Sequence, residues 1–348
     1  MPCRGDEPHL KENIEAVVNQ SYPKFKLIVI TDSPEDPAYP VANQVLNGHR
    51  AKDTHLFIAN AHPSASGKVA AFLTALERDE WASEAYAFVD SDALIPSNWL
   101  REIIDPLEDP SVGATTGFRW YFPEKSGFWP QVESAWNASG TNVMFSERYN
   151  FPWGGAMAMM RDTMNKINLR SVWETALSDD LSLNNALRQH GYRTEFLPQC
   201  AVVSYSRTTL RSFLTWATRQ TAITRAFNRK LWDYGLAAYG FFTVLSALGL
   251  ASLIAGIMLS SAWLLPAALL LIPSILGVFR SNERMITFKQ AMPEFAKDFE
   301  KNRWAHAIAS LIVPWIMTYC ILKSAGTNEI EWRGRKYKLT GSTSLAPT

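Results

Sequence analysis

The stretch AYAFVDSD, residues 85 to 92, decides the fold. Ala85 to Val89 is a short apolar run that ends abruptly in Asp90-Ser91-Asp92, the pattern of a buried strand whose carboxyl end opens into a polar loop. Before it, Gly67 to Arg78 reads as a helix. Further back, Leu10, Ile14, Val17 and Val18 fall at helical spacing, and Phe25 to Ile30 reads as a second buried strand after the break at Tyr22-Pro23. Helices alternating with buried strands predict an α/β domain with a parallel sheet covered on both faces, and ligands bind such sheets at the carboxyl ends of their strands. Asp32 and the pair Asp90 and Asp92 fall on that edge. Downstream, Ser97 to Asp109 reads as a helix and Gly113 to Tyr121 as a strand rich in Thr and aromatics. An aromatic-rich segment with Trp120, Trp129, Trp136 and Trp153 follows. Asp162 to Asn168 and Leu181 to His190 look helical, and Arg193 to Phe196 and Ala201 to Ser204 look extended.

With 348 residues, the chain can build one substantial core and keep apolar sequence for an appendage. Its 34 Lys plus Arg stand against 33 Asp plus Glu, which gives no basic surface of the kind nucleic-acid binding requires, so no nucleic-acid partner is expected. Cys3, Cys200 and Cys320 are too scattered for a disulfide framework or a metal spacing, which suits a reducing compartment. The mean hydropathy of -0.10 conceals a segregation. Residues 236 to 260 carry no charge and are long enough to cross a hydrocarbon core of about 30 Å as a helix. Residues 262 to 279 and 304 to 322 read as two further spans, separated by a charged interfacial stretch, 280 to 303. The opening MPCRGDEPHLKEN is polar and lacks the apolar core of a secretory signal. The expected division is a catalytic domain over 1 to 210, an amphipathic interfacial helix over 211 to 233, a membrane region over 234 to 322 and a polar tail over 323 to 348.

Two carboxylates on an extended turn, Asp90 and Asp92, can share one hard divalent cation, Mg2+ or Mn2+, that also meets substrate phosphates. The plain alternative is turn and capping chemistry. Asp179-Asp180 precedes the helix Leu181 to His190, where an acidic pair caps the helix by default; functionally, Asp180 is the candidate general base for an acceptor hydroxyl. Gly154-Gly155 enters an apolar strand and allows close approach of backbone and substrate. Ser66-Gly67-Lys68 opens a helix and can bring Lys68 to a phosphate, although it is not a P-loop. Residues 211 to 230 interleave Arg211, Arg219, Arg225, Arg229 and Lys230 with Phe213, Leu214, Trp216 and Phe227, an amphipathic pattern for a membrane surface. Within it, Arg219 is the candidate partner of a leaving diphosphate.

In order, these pieces resemble family 2 glycosyltransferases of the GT-A (Rossmann-like) fold, and most closely the ceramide glucosyltransferase-like branch, which ends in membrane helices. The resemblance runs from Pro2 to about Arg229. Pro2-Cys3-Arg4-Gly5, Asn13-Ile14-Glu15 and Gln20-Ser21-Tyr22-Pro23 are similar to the family's opening. It implies that Asp32 and Asp36 contact the nucleotide, that Asp90 and Asp92 form the metal and nucleotide motif, that Gly154, Gly155, Asp179 and Trp216 line the acceptor side, and that Asp180 is the catalytic base. Where the family has Gln or Arg, two residues, then Arg-Trp, this chain has Trp216-Ala217-Thr218-Arg219-Gln220, which keeps Arg219 alone. That departure argues against processive synthesis. The family's first strand is expected ahead of Pro2, so the sheet is expected to lack it and to expose a hydrogen-bonding edge.

The implied activity is inverting transfer of a sugar from a nucleotide-sugar, a UDP-sugar, to a lipid or membrane-associated acceptor, by an integral membrane protein with a cytoplasmic catalytic domain. The alternatives are a polysaccharide-chain synthase of the same family and a membrane transporter or scaffold with a non-catalytic soluble domain. The spans contain no Asp, Glu, Lys or Arg of the kind a transport path uses. Basic residues in both 280 to 303 and the tail favour the cytoplasmic side, which three full crossings cannot satisfy together.

Overall fold

A computed structural model describes residues 1–49, 52–332, 334–339 and 345–346. The chain runs β1 (Pro2–Cys3), α1 (Leu10–Val18), β2 (Leu27–Thr31), α2 (Ala38–Gly48), β3 (Thr54–Ile58), α3 (Gly67–Arg78), β4 (Ala85–Val89), α4 (Trp99–Ile104), β5 (Val112–Thr116) and β6 (Arg119–Pro123). It continues through α5 (Phe128–Ser139), α6 (Thr141–Met144), β7 (Ala156–Met160), α7 (Arg161–Lys166), α8 (Leu169–Trp173), α9 (Asp179–Gln189), β8 (Arg193–Phe196) and β9 (Val202–Ser206). Then follow α10 (Leu210–Phe227), α11 (Arg229–Met258), α12 (Leu264–Ala291), α13 (Ala296–Ala309), α14 (Val313–Ser324), β10 (Glu329–Trp332), β11 (Arg335–Leu339) and β12 (Leu345–Ala346). Two compact units result: Met1–Trp120, Gly140–Ser204 and the segment from Glu331 form the first, and Tyr121–Ser139 with Tyr205–Ile330 the second.

In the first unit β1, β2 and β3 pair in parallel, while β4, β7, β5 and β8 form a mixed sheet. β7 runs antiparallel to both β4 and β5, and β5 runs parallel to β8. The all-parallel expectation is therefore corrected: the strand that enters from Gly154-Gly155 turns back against β4 instead of crossing over it. Side chains alternate across these strands and feed two separate cores. Val89, Ala156 and Ala158 join Leu10, Ile14, Val29, Trp99 and Ile103 on one face. Phe88, Met157 and Met159 join Val69, Phe72, Trp173 and Leu183 on the other. This is the three-layer arrangement that the helix and strand alternation predicts.

Other differences are local. The strand expected to be missing is present in short form, since Pro2 and Cys3 pair with Ile30 and Thr31. Helix α2 and strand β3 escaped the sequence reading, because no residue of β3 is fully buried and Pro40 lies inside α2. The expected strand over 113 to 121 is two strands. Gly117 N–H donates to Ala156 O, whereas Phe118 O accepts from Val202 N–H, so the chain changes partner between them.

In the second unit, Arg229–Met258, Ser261–Ala291 and Pro293–Ser324 are each long and apolar enough to cross a membrane, with mean hydropathy of 2.1, 2.2 and 1.7 in their most apolar windows. Residues 280 to 291 continue the second of these as helix. Phe241, Ile257, Leu265, Leu269 and Phe279 are all exposed, a burden that water would not tolerate over so large an area.

Candidate active site

The sequence-predicted carboxylates come together at the strand ends of the first unit. β4 delivers Asp90 and Asp92, and the loop between them is held from a distance. Asn13 of α1 donates its side-chain amide to Ser91 O at 2.8 Å, and Gln20 donates to Pro96 O at 2.8 Å. Ser204 also donates to Asp92 O, and Asp90 N–H donates to Gly155 O at 3.2 Å. The Asn13 and Gln20 motifs of the opening thus act as clamps on the aspartate loop.

Two cations neutralise the pair. Lys68, placed by the first turn of α3 with Ser66 as its cap, reaches Asp90 Oδ1 at 2.8 Å and Asp179 Oδ2 at 3.1 Å. Arg119, from β6, reaches Asp90 Oδ2 at 2.8 Å and both Asp92 oxygens at 2.6 and 2.7 Å. Its guanidinium also stands 5.0 Å from the centre of the Trp153 ring. The sequence reading missed Arg119, although a lone cation inside the apolar and aromatic run FRWYF was the available signal. A side chain of that kind is held in a buried strand only when paired.

Asp179 is buried and faces inward; burial raises its pKa, Lys68 pulls it down and Asp180 and Asp90 raise it, so that it lies at about 6. Burial works against the Lys68 ammonium, but Asp179 and Asp90 outweigh it and the pKa rises. Asp180 is half-buried and points elsewhere. Its Oδ1 accepts from Leu181 N–H at 2.7 Å and from the Ser178 hydroxyl, which leaves it on the helix cap and outside the Lys68 pair. Gly154 and Gly155 are the floor of the site. A Cβ on Gly154 would lie 1.8 Å from Asp179 Oδ2, and one on Gly155 2.1 Å from the Trp153 ring and 2.7 Å from Asp90 Oδ2.

Asp32 pairs with Arg4 and with Arg335, each at 3.0 Å. Asp36 Oδ1 accepts from the backbone N–H groups of Gly5 and Ala38, at 2.8 and 2.9 Å, so that oxygen ties the opening segment to the start of α2. Trp216 and Arg219 belong to α10 in the second unit. There the Trp216 ring packs on Tyr121 and Trp136, with centroids 5.7 and 5.0 Å away.

The model of glycosyl transferase family 21 matches residues 1–345. The chain belongs to that family. It is the ceramide glucosyltransferase family of GT-A type, which the opening, Asp90-Ser91-Asp92 and Asp179-Asp180 motifs resemble. Over 65 residues, 18% of the chain, it is 42% identical to a ceramide glucosyltransferase of Pyricularia oryzae. That match spans 13% of the relative's length. Among solved structures, the mannosyltransferase PcManGT of Pyrobaculum calidifontis, in complex with GDP-Man and Mn2+, is similar with a TM-score of 0.46 and 19% identity, over 91% of this chain and 85% of that one.

Proposed function

We propose that this family member is a metal-dependent, inverting glycosyltransferase that moves a sugar from a UDP-sugar to a lipid or membrane-associated acceptor, with its catalytic unit on the cytoplasmic side of the membrane. The observation that carries this reading is the convergence of Asp90, Asp92, Lys68 and Arg119 beside Asp179-Asp180.

The donor set suits a hard divalent cation. Three carboxylates, those of Asp90, Asp92 and Asp179, face two fixed cations, Lys68 and Arg119, and the remaining negative charge favours one Mg2+ or Mn2+. Asp92 and Asp90 would hold it, and when bound it would neutralise charge on the donor diphosphate. Among the described residues no group of three or more His, Cys, Asp or Glu is set to hold a metal; a cation on two carboxylates takes its other ligands from water and substrate oxygens.

The protein's own groups divide the remaining work. Asp180, half-buried and outside the Lys68 pair, takes the proton of the acceptor hydroxyl as its oxygen attacks the anomeric carbon. Asp179 fixes Lys68 and keeps it charged. Arg119 orients Asp90 and Asp92, a positioning role. Arg219 is assigned to the leaving diphosphate by the family resemblance. The glycine floor admits the sugar close to Asp179. The exposed apolar helices of the second unit support a membrane-resident acceptor.

The test is release of nucleoside diphosphate from UDP- and GDP-sugars by membranes carrying the protein, with and without Mn2+, supplied with lipid extract. Metal-dependent release that Asp180→Asn abolishes supports the assignment. Release that Asp180→Asn leaves intact overturns the choice of base, and no release with any donor overturns the reading.

A further inference from the structure

The C-terminal hairpin reaches the start of α3 from a point in sequence remote from every predicted site residue. β11 pairs with β10 on one side and antiparallel with β12 on the other, through Lys338 with Ala346. From β11, the Arg335 guanidinium pairs with Asp32 Oδ2 at 3.0 Å and crosses Gly67 so closely that a Cβ there would lie 2.1 Å from its Nη1. Tyr337, on the same face of the strand two residues on, accepts the Gly67 N–H with its hydroxyl oxygen at 3.3 Å. Gly67 is followed at once by Lys68, which holds Asp90 and Asp179. The hairpin therefore touches the seam between the Asp32 cluster and the Asp90 cluster.

Arg4 and Arg335 share one oxygen of the Asp32 carboxylate, each at 3.0 Å. The Arg335 side chain is also 44% exposed, against 20% for Asp32, so it offers N–H groups to an incoming anion. A nucleotide-sugar brings such an anion, its diphosphate, and planar guanidinium groups bind phosphate oxygens in pairs.

We propose that Arg335 is a donor-binding residue: the C-terminal hairpin completes the nucleotide-sugar pocket by carrying a guanidinium to the diphosphate beside Asp32 and the start of α3. This rests on the glycosyltransferase reading. The stretch 323 to 348, expected to be only a polar tail, contributes Arg335 to the site in this assignment.

The experiment compares full-length wild type with Arg335→Gln, Arg335→Lys and Gly67→Ala in membranes or detergent. Its readouts are donor KM, kcat and inhibition by the free nucleoside diphosphate. Gly67 sits in ordinary helical backbone, so Ala fits there and evicts only the guanidinium. Loss of one charge-assisted contact predicts a rise on the order of tenfold in donor KM and in the inhibition constant for both Arg335→Gln and Gly67→Ala. We expect kcat to stay within about twofold, Arg335→Lys to recover part of the loss, and the double variant to be no worse than Arg335→Gln, as expected of substitutions acting through one contact. Unchanged KM and inhibition in both single variants would show a hairpin that only packs, and lowered KM with faster turnover would show one that obstructs; either overturns the assignment. No turnover by wild type with any donor overturns the glycosyltransferase reading itself and is thereby told apart from failure of Arg335.

Discussion

Gly154 lies so close to Asp179 that a Cβ on it would come within 1.8 Å of the carboxylate Oδ2 and 3.1 Å of Lys68 Nζ. Gly154→Ala should therefore push the Asp179 carboxylate off Lys68 while leaving both groups in place chemically. The expected outcome is a fall of at least about tenfold in kcat, with a loss of about 1–3 kcal/mol in stability from overpacking. Thermal unfolding measured beside kcat checks it, and full activity at full stability would refute the close approach.

Lys68 separates two buried or half-buried carboxylates that otherwise face each other. Lys68→Met should destabilise the first unit by about 3–5 kcal/mol, because it leaves Asp90 and Asp179 without their shared cation. Adding Asp179→Asn to Lys68→Met should cost less than the sum of the two single changes. Chemical denaturation of the three variants tests the coupling, and strict additivity would sink the idea of a shared ion pair.

Arg119 donates to both members of the aspartate motif, so Arg119→Gln should free Asp92 while the strand stays in register. The expected result is a loss of turnover of about 10- to 100-fold with an unchanged far-ultraviolet circular dichroism spectrum. Arg119→Lys should recover little, since an ammonium cannot span Asp90 and Asp92 as a fork does. Recovery of wild-type rates by lysine would count against the bidentate role.

Asp79 carries a pH signature of its own at the C-terminal end of α3. Burial alone would raise its pKa, but hydrogen bonds from Lys26 at 2.7 Å, from the Tyr86 hydroxyl at 2.7 Å and from Ser83 N–H at 3.0 Å bring it down to about 2. A folded-state pKa below the unfolded one adds stability that is present above about pH 4 and lost as the pH falls toward 2. That contribution is about 2 kcal/mol at neutral pH. Asp79→Asn should thus lower stability at pH 7 and flatten its dependence between about pH 4 and 2. An equally steep acid limb in the variant would remove Asp79 from the account.

Much of this site was legible because its residues sit where local pattern speaks. An apolar strand ending in Asp90-Ser91-Asp92 and a helix opening at Asp179-Asp180 can be read from a few neighbours. Lys68 was readable for the same reason, at the start of a clear helix. The remainder depended on pairings between distant segments, which no local window contains. Arg119 becomes part of the site only because β6 runs beside the loop after β4. Asp36, expected at the nucleotide, has its Oδ1 on the backbone of Gly5 and Ala38, and the bond to Gly5 joins segments 31 residues apart. The return of β7 against β4 was hidden because a run such as AMAMM has the same composition in either direction. Arg335 lay beyond any pattern, more than 240 residues from the nearest predicted carboxylate of the first strands and joined to Asp32 only by the fold.

The clamps that Asn13 and Gln20 place on the aspartate loop also constrain the order of assembly. They close segments 78 and 76 residues apart, so the loop cannot take its shape from its own sequence as a tight turn would. On a ribosome, Asn13 and Gln20 emerge long before their partners in the loop, which are complete only once the chain has passed Pro96, and Arg119 follows later still. The aspartate cluster is consequently among the last features of the domain to form, and a nascent chain halted before Arg119 lacks it.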